Sequence, residues 1–381
     1  MEGAAQKQQR EAPPVCEGFS GAIGCTPLIR LRTISEATGC QILAKAEWMN
    51  PGGSVKDRAA LYMINEAEQQ DLLTPGGWIV EATAGNTGIG LVHIANERGY
   101  KCLFTCSAST SQEKVQVLQR LGAQTVCCPP VPPDDPEHFQ QVGRRKAKEM
   151  NAFFTDQFNN LANMRAHYHT TGPEIWQQTQ GKVDGVALAA GTGGTIAGTS
   201  HYLKDKNPDV QVYLMNLQSS GITADQVTPI DEDEDGEKKK GVLRWRLREK
   251  TKEEKEKNKP SNMEGIGSSL LYKNLAQAKI DGLFECVDDR AAVTMAHYLL
   301  HREGIYTGGS GALNVVAAYL LAKKMGPGHC IVTFLCDGGE RYASKLYDGE
   351  WLKEKGLTVA DPLPSDLSFL DEVERLNLHS S

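Results

Sequence analysis

Short apolar runs alternate with amphipathic stretches along most of the chain. The runs are rich in Val, Ile and Leu, which are typical of buried strands. They lie at residues 41–46, 78–82, 101–106, 125–128, 184–190, 211–216, 282–287 and 329–336. Helical spacing predicts helices at residues 57–70, 87–98, 112–121, 163–180, 195–206, 288–302 and 311–324. This order predicts an α/β fold with mainly parallel sheets buried on both faces.

Two segments interrupt the alternation. Residues 129–136 contain five prolines and predict a rigid surface connection. Residues 231–259 mix acids and bases in nearly equal number, which is typical of a solvated or flexible loop. Within that loop, residues 242–248 place Trp245 between arginines. They are either part of the solvated loop, which we expect, or a binding surface for an acidic partner.

Length and charge narrow the class of protein. The chain has 381 residues, 41 Lys and Arg against 48 Asp and Glu, and a net charge of -7. At about 150 residues per domain, this length predicts two or three domains. A mildly acidic chain is a poor partner for nucleic acid or membrane, so we expect a small molecule or another protein. No apolar stretch predicts a membrane span, and residues 1–15 contain no secretory or mitochondrial signal pattern.

The cysteines show no metal or redox spacing. The ten are Cys16, Cys25, Cys40, Cys102, Cys106, Cys127, Cys128, Cys286, Cys330 and Cys336. None forms the CxxC pair of a structural zinc site, and several lie in predicted strands. Buried reduced thiols are therefore favoured over a disulfide framework, and we expect a cytoplasmic protein without a metal site.

A glycine-rich turn places a lysine at the start of a helix. Residues 50–58 read NPGGSVKDR, between a predicted strand and a predicted helix, so Lys56 lies at the helix entrance. The spacing is not that of a P-loop. A solvated lysine is the alternative, but the helix dipole disfavours a cation at this end. This electrostatic mismatch favours a functional role for Lys56.

Two further turns are candidate anion sites. Residues 83–88 read TAGNTG and residues 191–195 read GTGGT, and each follows a predicted strand and opens a predicted helix. Backbone N–H groups at a helix N-terminus bind phosphate or carboxylate groups. The second turn lacks the GxGxxG spacing of a dinucleotide site, but it is suited to a single phosphate.

Together these motifs resemble the fold-type II pyridoxal-phosphate (PLP) enzymes, specifically the cysteine synthase (O-acetylserine sulfhydrylase) branch that also contains cystathionine β-synthase. The resemblance covers about residues 18–356 and also includes IGCTPLIRL at 23–31, DQFNNLANMRAHYHTTGPEIW at 156–176, EGIG at 264–267, GGSG at 308–311 and CDGGERY at 336–342. An ordered set of motifs is far more specific than any one member.

The resemblance implies the tryptophan synthase β-like fold, in which two three-layer α/β domains enclose the cofactor in a cleft. The larger domain would comprise residues 18–49 and 155–357, with the charged insertion at about 218–260. The smaller, mobile domain would comprise residues 50–154. Residues 1–17 and 358–381 would be terminal tails.

The resemblance also implies a role for each motif residue. Lys56 would bind the cofactor covalently and act as the catalytic residue. The other implied cofactor-binding residues are Asn86 at the ring hydroxyl, Gly191, Thr192, Gly193, Gly194 and Thr195 at the phosphate, and Ser310 at the pyridine nitrogen. The implied substrate-binding residues are Thr83, Ala84, Gly85, Thr87, Gln157 and Gly265. Because a hydroxyl at Ser310 supports less positive charge on the ring than an aspartate, β-replacement is favoured over transamination.

The implied reaction is formation of L-cysteine and acetate from O-acetyl-L-serine and sulfide, through an aminoacrylate intermediate, in a homodimer. Alternatives in the same class are a cysteine desulfhydrase, a β-cyanoalanine synthase and a cystathionine β-synthase-like enzyme. A catalytically silent binding or sensor protein is the alternative from another class. The retained lysine and cofactor residues argue against it.

Three positions leave questions open. Ala84 replaces the serine usual in the family loop, and we interpret it as a mark of a subgroup. His167 and His169, two residues apart on a predicted helix, point in different directions, which favours surface or packing roles over a metal or acid/base site. Asp337 follows a strand close to the implied cofactor ring, where a structural and a catalytic role are both open.

Overall fold

The computed structural model describes residues 15–229, 243–256, 261–268, 270–286, 289–360 and 362–378. Its strands are β1 Leu28–Arg30, β2 Gln41–Ala46, β3 Trp78–Ala82, β4 Lys101–Ser107, β5 Gln124–Cys128, β6 Phe153–Phe154, β7 Gly185–Ala189, β8 Gln211–Leu217, β9 Ile222–Pro229, β10 Leu243–Glu249, β11 Gly282–Cys286 and β12 Cys330–Leu335.

Helices follow most of the strands, as the periodicity predicts. They are α1 Gly18–Gly21, α2 Arg32–Thr38, α3 Lys56–Gln69, α4 Asn86–Arg98, α5 Gln112–Arg120, α6 Phe139–Glu149, α7 Ala162–Ala166, α8 Gly172–Gln178, α9 Gly194–Lys206, α10 Lys252–Glu256, α11 Lys273–Ala276, α12 Arg290–Tyr298, α13 Gly309–Met325, α14 Gly349–Glu354 and α15 Asp371–Leu378. The predicted ends at Val287 and Asp288 lie outside the described residues.

Two mainly parallel sheets confirm the predicted fold class. A six-stranded sheet has the order β1-β2-β12-β7-β8-β11, and a four-stranded sheet has the order β5-β4-β3-β6. Every pairing in the four-stranded sheet is parallel. Among the described strands of the larger sheet, β1 alone runs antiparallel, beside β2.

Both sheets are buried on both faces, because successive strand residues point to opposite sides. In β7, Val186 and Leu188 pack in one core cluster, whereas Ala187 and Ala189 pack in the other. In β3, Ile79 joins a cluster that includes residues of α3 and α4. Its neighbour Val80 packs with Ala147 of α6 on the opposite side. This double burial explains why the strands have continuous apolar sequences.

The structure corrects three expectations. Part of the charged segment expected as a loop is regular, since β10 pairs with β9 in an antiparallel ribbon. The β10 sequence LRWRLRE alternates in the strand period of two over residues 243–248, which the charge count obscured. Residues 230–242 and 257–260 lie outside the described part. The C-terminal segment expected as a tail contains α15, and Leu370 before it is fully buried. The helix predicted over 163–180 is interrupted by a π-helical turn at His167–Thr171.

The motifs selected from the sequence follow the carboxyl ends of strands. β2, β3, β7 and β12 each end just before a motif that the sequence analysis selected. Ligands of α/β proteins bind outside the carboxyl ends of parallel strands. Within the described ranges, no helix is long and apolar enough to cross a membrane. The same residues contain no cluster of ligands suited to a metal ion.

Candidate active site

Lys56 is the first residue of α3. The turn before Lys56 is hydrogen-bonded to the CDGGERY segment that follows β12. Val55 N–H donates to the Cys336 carbonyl at 2.8 Å, and Ser54 forms a β-bridge with Asp337. The Ser54 hydroxyl also accepts a hydrogen bond from Lys56 N–H at 3.2 Å. The lysine is therefore anchored by its backbone, while its half-buried side chain lines a cavity.

The GTGGT loop is a narrow cradle at the N-terminus of α9. Gly193 has φ of 87°, a left-handed conformation that favours glycine. A side chain at Gly191 would collide with the Gly265 carbonyl oxygen, and one at Gly194 would collide with Asn163. The backbone of this loop therefore approaches its neighbours more closely than any other residue type permits, and its N–H groups suit an anion.

Two polar side chains, Asn163 and His167, contact the hydroxyl groups of this loop. Asn163 donates to the Thr192 hydroxyl at 3.0 Å and to the Gln157 carbonyl at 2.9 Å. His167 is fully buried, with its ring nitrogens 2.8 Å from the Thr171 hydroxyl and 3.2 Å from the Thr195 hydroxyl. Burial lowers the pKa of His167 to about 3, so the ring is neutral at pH 7. His167 therefore has a packing role, as expected, and its ring contacts the Thr195 hydroxyl. His169 stacks on Tyr62.

The TAGNTG turn opens α4 with Asn86 as its first residue. Thr83 accepts a hydrogen bond from Gly85 N–H at 3.1 Å, which shapes the turn. Thr87 donates to Gln157 Oε1 at 2.7 Å, so the two predicted substrate ligands touch each other. Gln157 is held in turn by N–H donation to the buried Glu81 carboxylate at 3.1 Å.

Two cavities bring the predicted residues together. A small cavity of about 50 Å³ is lined by the predicted cofactor residues Lys56, Asn86, Gly191, Thr192, Gly193, Thr195 and Ser310. A cavity of about 860 Å³ is lined by the predicted substrate residues Thr83, Ala84, Gly85, Thr87, Gln157 and Gly265. Lys56 and Asn86 line both, so the cavities are neighbours. Gly194 instead lies against Asn163, where it begins α9.

The sequence analysis missed two side chains of this site. Arg341 and Tyr342 line the larger cavity, and Tyr342 also lines the smaller one. Both belong to CDGGERY, but their motif gave no indication of their contacts. The only available signal was their position just after the end of β12, where polar residues lie near the other strand ends.

Three charged side chains that form ion pairs line the larger cavity. Glu264 pairs with Lys114 of α5 and, at 2.8 Å, with Lys345. Burial and the neighbouring Lys345 lower the pKa of Lys114 to about 8. The lining of the larger cavity therefore has charges of both signs.

A buried ion network is centred on Arg58, two residues after Lys56 in α3. Arg58 donates to Glu47 at 2.8 and 2.9 Å and to Glu174 at 2.6 and 2.8 Å. Lys45 pairs with Glu174 at 2.5 Å. Burial alone would raise the pKa of Glu47, but the Arg58 charge lowers it to about 2. These residues join β2, the start of α3 and α8 through charge-assisted hydrogen bonds.

Asp57 gives a pH-dependent prediction. Burial raises its pKa to about 7, although its Oδ2 accepts from Gly52 N–H at 2.6 Å. Its Oδ1 has no hydrogen-bond partner within the described ranges. Because the folded pKa exceeds the unfolded value of 3.8, the folded state binds more protons between them. Stability from this group is therefore lost as the pH rises towards and through about 7.

We expect Asp57→Asn to remove that part of the pH dependence. Between pH 5 and 7 the wild-type protein should lose stability relative to the variant, by at most about 1.4 kcal/mol per pH unit, and its melting temperature should fall accordingly. Thermal unfolding of both proteins in matched buffers measures the difference. Parallel curves would contradict the assignment. Asp71→Asn, at an exposed position, is the control and should leave the slope unchanged.

The donor set fits pyridoxal phosphate. A glycine cradle at the N-terminus of the 13-residue α9 suits a phosphate. An amine at Lys56, an amide at Asn86 and a hydroxyl at Ser310 line the same small cavity. The fold and the site thus define an α/β protein in which a lysine and a glycine-rich loop suited to an anion line one cavity.

Comparison with known proteins agrees with a pyridoxal-phosphate site. The model of the pyridoxal-phosphate dependent enzyme family matches residues 19–337, and the chain belongs to that family. It is 45% identical to cysteine synthase 1 of Neurospora crassa, over 92% of this chain and 89% of the relative. It is 36% identical to the putative mitochondrial cysteine synthase of Saccharomyces cerevisiae, over 89% and 86%. It is 35% identical to cystathionine beta-synthase of Apis mellifera, over 88% and 62%.

Proposed function

We propose that this PLP-dependent enzyme is a cysteine synthase, which forms L-cysteine and acetate from O-acetyl-L-serine and sulfide. The main support is the convergence of Lys56, Asn86, Ser310 and the 191–195 loop on one small cavity. That cavity shares its lining with a larger one, where the 83–87 turn and Gln157 lie. The identity to cysteine synthase 1 of Neurospora crassa supports the same reaction.

When bound, PLP supplies an electron sink that weakens the bond from the substrate α-carbon to hydrogen and allows a β-substituent to leave. In this proposal Lys56 holds the cofactor covalently in the resting enzyme. Its free Nζ would take the α-proton of the substrate and later return a proton.

The other residues bind and orient. The N–H groups and hydroxyls of residues 191–195 would hold the phosphate, Asn86 would hold the ring hydroxyl, and Ser310 would hold the pyridine nitrogen. The Thr83 hydroxyl and the N–H groups of the 83–87 turn, with Gln157, hold the substrate carboxylate. Closure of this turn over the substrate excludes water.

A second reaction is supported by a specific observation. The cystathionine beta-synthase of Apis mellifera is 35% identical to this chain. A cavity of about 860 Å³ also has room for a second amino acid beside the first. We therefore retain serine plus homocysteine as the alternative substrate pair.

Steady-state assays separate these functions. O-acetylserine, serine or cysteine should be paired with sulfide, cyanide or homocysteine, and kcat/KM measured for each pair. We expect O-acetylserine with sulfide to have the largest kcat/KM. A clear preference for serine with homocysteine would refute the cysteine synthase assignment. A protein with bound PLP and no turnover of any pair would favour the binding or sensor function.

The proposal extends to organisation and location. The smaller domain comprises residues 50–154 and moves relative to the larger one, which comprises residues 18–49 and 155–357. The enzyme is a homodimer, which light scattering on the purified holoenzyme would test. We also propose a cytoplasmic location, since the cysteines are free thiols and most of them are buried.

A further inference from the structure

Asp337 lies where three segments of the site meet. Its backbone bridges Ser54, two residues before Lys56. Its carbonyl oxygen accepts from Gly308 N–H at 3.2 Å and from the Thr307 hydroxyl at 3.1 Å, just before Ser310. The residue is 1% exposed. The main chain at Asp337 therefore connects the loop that presents Lys56 to the loop that presents Ser310.

Asp337 and Asn86 both line the small cavity, and the Asp337 carboxylate contacts Asn86. Oδ2 accepts from Asn86 Nδ2 at 2.7 Å and from the Tyr342 hydroxyl at 2.6 Å. Oδ1 is buried and has no hydrogen-bond partner among the residues that the structure describes. Burial raises the pKa of Asp337. A buried carboxylate with one unpaired oxygen is costly, so this arrangement needs an explanation beyond packing.

The Asn86 amide is oriented from both ends. Its Nδ2 donates to Asp337, and its Oδ1 accepts from the Arg341 guanidinium. A carboxylate only accepts and a guanidinium only donates, so the reversed amide would lose both bonds. Because Nδ2 has two hydrogens, one N–H remains after the bond to Asp337. That N–H is the donor that the ring hydroxyl of the cofactor requires from Asn86.

We propose that Asp337 is a positioning residue, which sets the amide orientation of Asn86 for the cofactor and joins the loops of Lys56 and Ser310. It acts through Asn86 and does not itself bind substrate. The proposal rests on the cofactor role given to Asn86 in the proposed function, but not on which second substrate the enzyme uses.

Asp337→Ala removes the acceptor, whereas Asp337→Asn is the matched control. An asparagine side chain at this site can keep an oxygen towards Asn86 and Tyr342, and its amide nitrogen replaces the unpaired Oδ1. We expect Asp337→Ala to weaken PLP binding by about tenfold or more and to shift the visible absorption maximum. Asp337→Asn should stay within about threefold of the wild type. Asp337→Ser replaces the alanine variant if that protein is insoluble.

A double-mutant cycle with Asn86→Ala distinguishes positioning from a purely structural role. PLP affinity, the visible spectrum and the melting temperature are measured for the wild type, both single variants and the double variant. If Asp337 acts through Asn86, the alanine substitution should have little further effect on PLP affinity once Asn86 is absent. An equal effect in both backgrounds would overturn the proposal. So would a lowered melting temperature with unchanged affinity and spectrum.

These outcomes are independent of the substrate assays. If serine with homocysteine is the preferred pair, the cysteine synthase assignment fails and the cycle still decides the role of Asp337. If the cycle is additive, the role of Asp337 fails and the substrate assignment is unaffected.

Discussion

Lys56→Ala is expected to abolish the visible absorption of the lysine-bound cofactor and to lower cysteine formation by at least about 10³-fold. The reason is that one amine has two tasks in the proposed mechanism, covalent binding of the cofactor and proton transfer at the α-carbon. Proton transfer by a positioned side chain alone contributes about 10²- to 10⁴-fold. Absorption spectra and initial rates of the purified variant measure both effects.

The control for this prediction is another lysine. Lys101→Ala changes an exposed lysine at the start of β4 and should leave spectrum and rate unchanged. The melting temperature of Lys56→Ala without cofactor should remain close to that of the cofactor-free wild type, because the Lys56 turn is held by backbone bonds. A variant that retains the visible band would contradict the role of Lys56.

Arg58→Met is expected to cause the largest loss of stability. Arg58 is 1% exposed, and its removal leaves Glu47, which is fully buried, without its principal cation. Removing one partner of a buried ion pair costs about 3–5 kcal/mol. Denaturant unfolding of the holoenzyme, monitored at matched PLP concentration, measures this loss.

Two controls make the Arg58 result specific. Lys146→Met breaks an exposed pair with Glu149 on α6 and should cost at most about 1 kcal/mol. The double variant Arg58→Met with Glu47→Leu removes the uncompensated charge together with its partner. It should be more stable than Arg58→Met alone, since an apolar pair can replace a buried ion pair. Equal losses for Arg58→Met and Lys146→Met would contradict the importance of the buried network.

Periodicity was sufficient to predict the strands that position the site. β2 and β3 have the predicted bounds, and α4 and α9 begin one residue before the predicted starts. These elements have continuous apolar or regularly spaced sequences because both sheets are buried on both faces. The motif residues follow the carboxyl ends of these strands, and parallel strands bring their carboxyl ends to the same edge of a sheet. The parallel order therefore accounts for the convergence of the motif residues.

Other features depend on contacts that no local pattern encodes. β6 has two residues, Phe153–Phe154, and exists only through its pairing with β3. The π-helical turn at His167–Thr171 brings the His167 ring to Thr195 on another element. The clamp of Asn86 between Asp337 and Arg341 joins residues about 250 positions apart. Tertiary packing decides such contacts, and single-sequence spacing contains no information about them.

The most direct test of the central claim is to find the residue that bears the cofactor. Borohydride reduction of the purified holoenzyme fixes the pyridoxyl group on its lysine, and peptide mapping by mass spectrometry then locates it. We predict that the label lies on Lys56, and that addition of O-acetylserine before reduction lowers the labelling. A pyridoxyl group on any other lysine, or a holoenzyme without a covalent label, would contradict the proposed site.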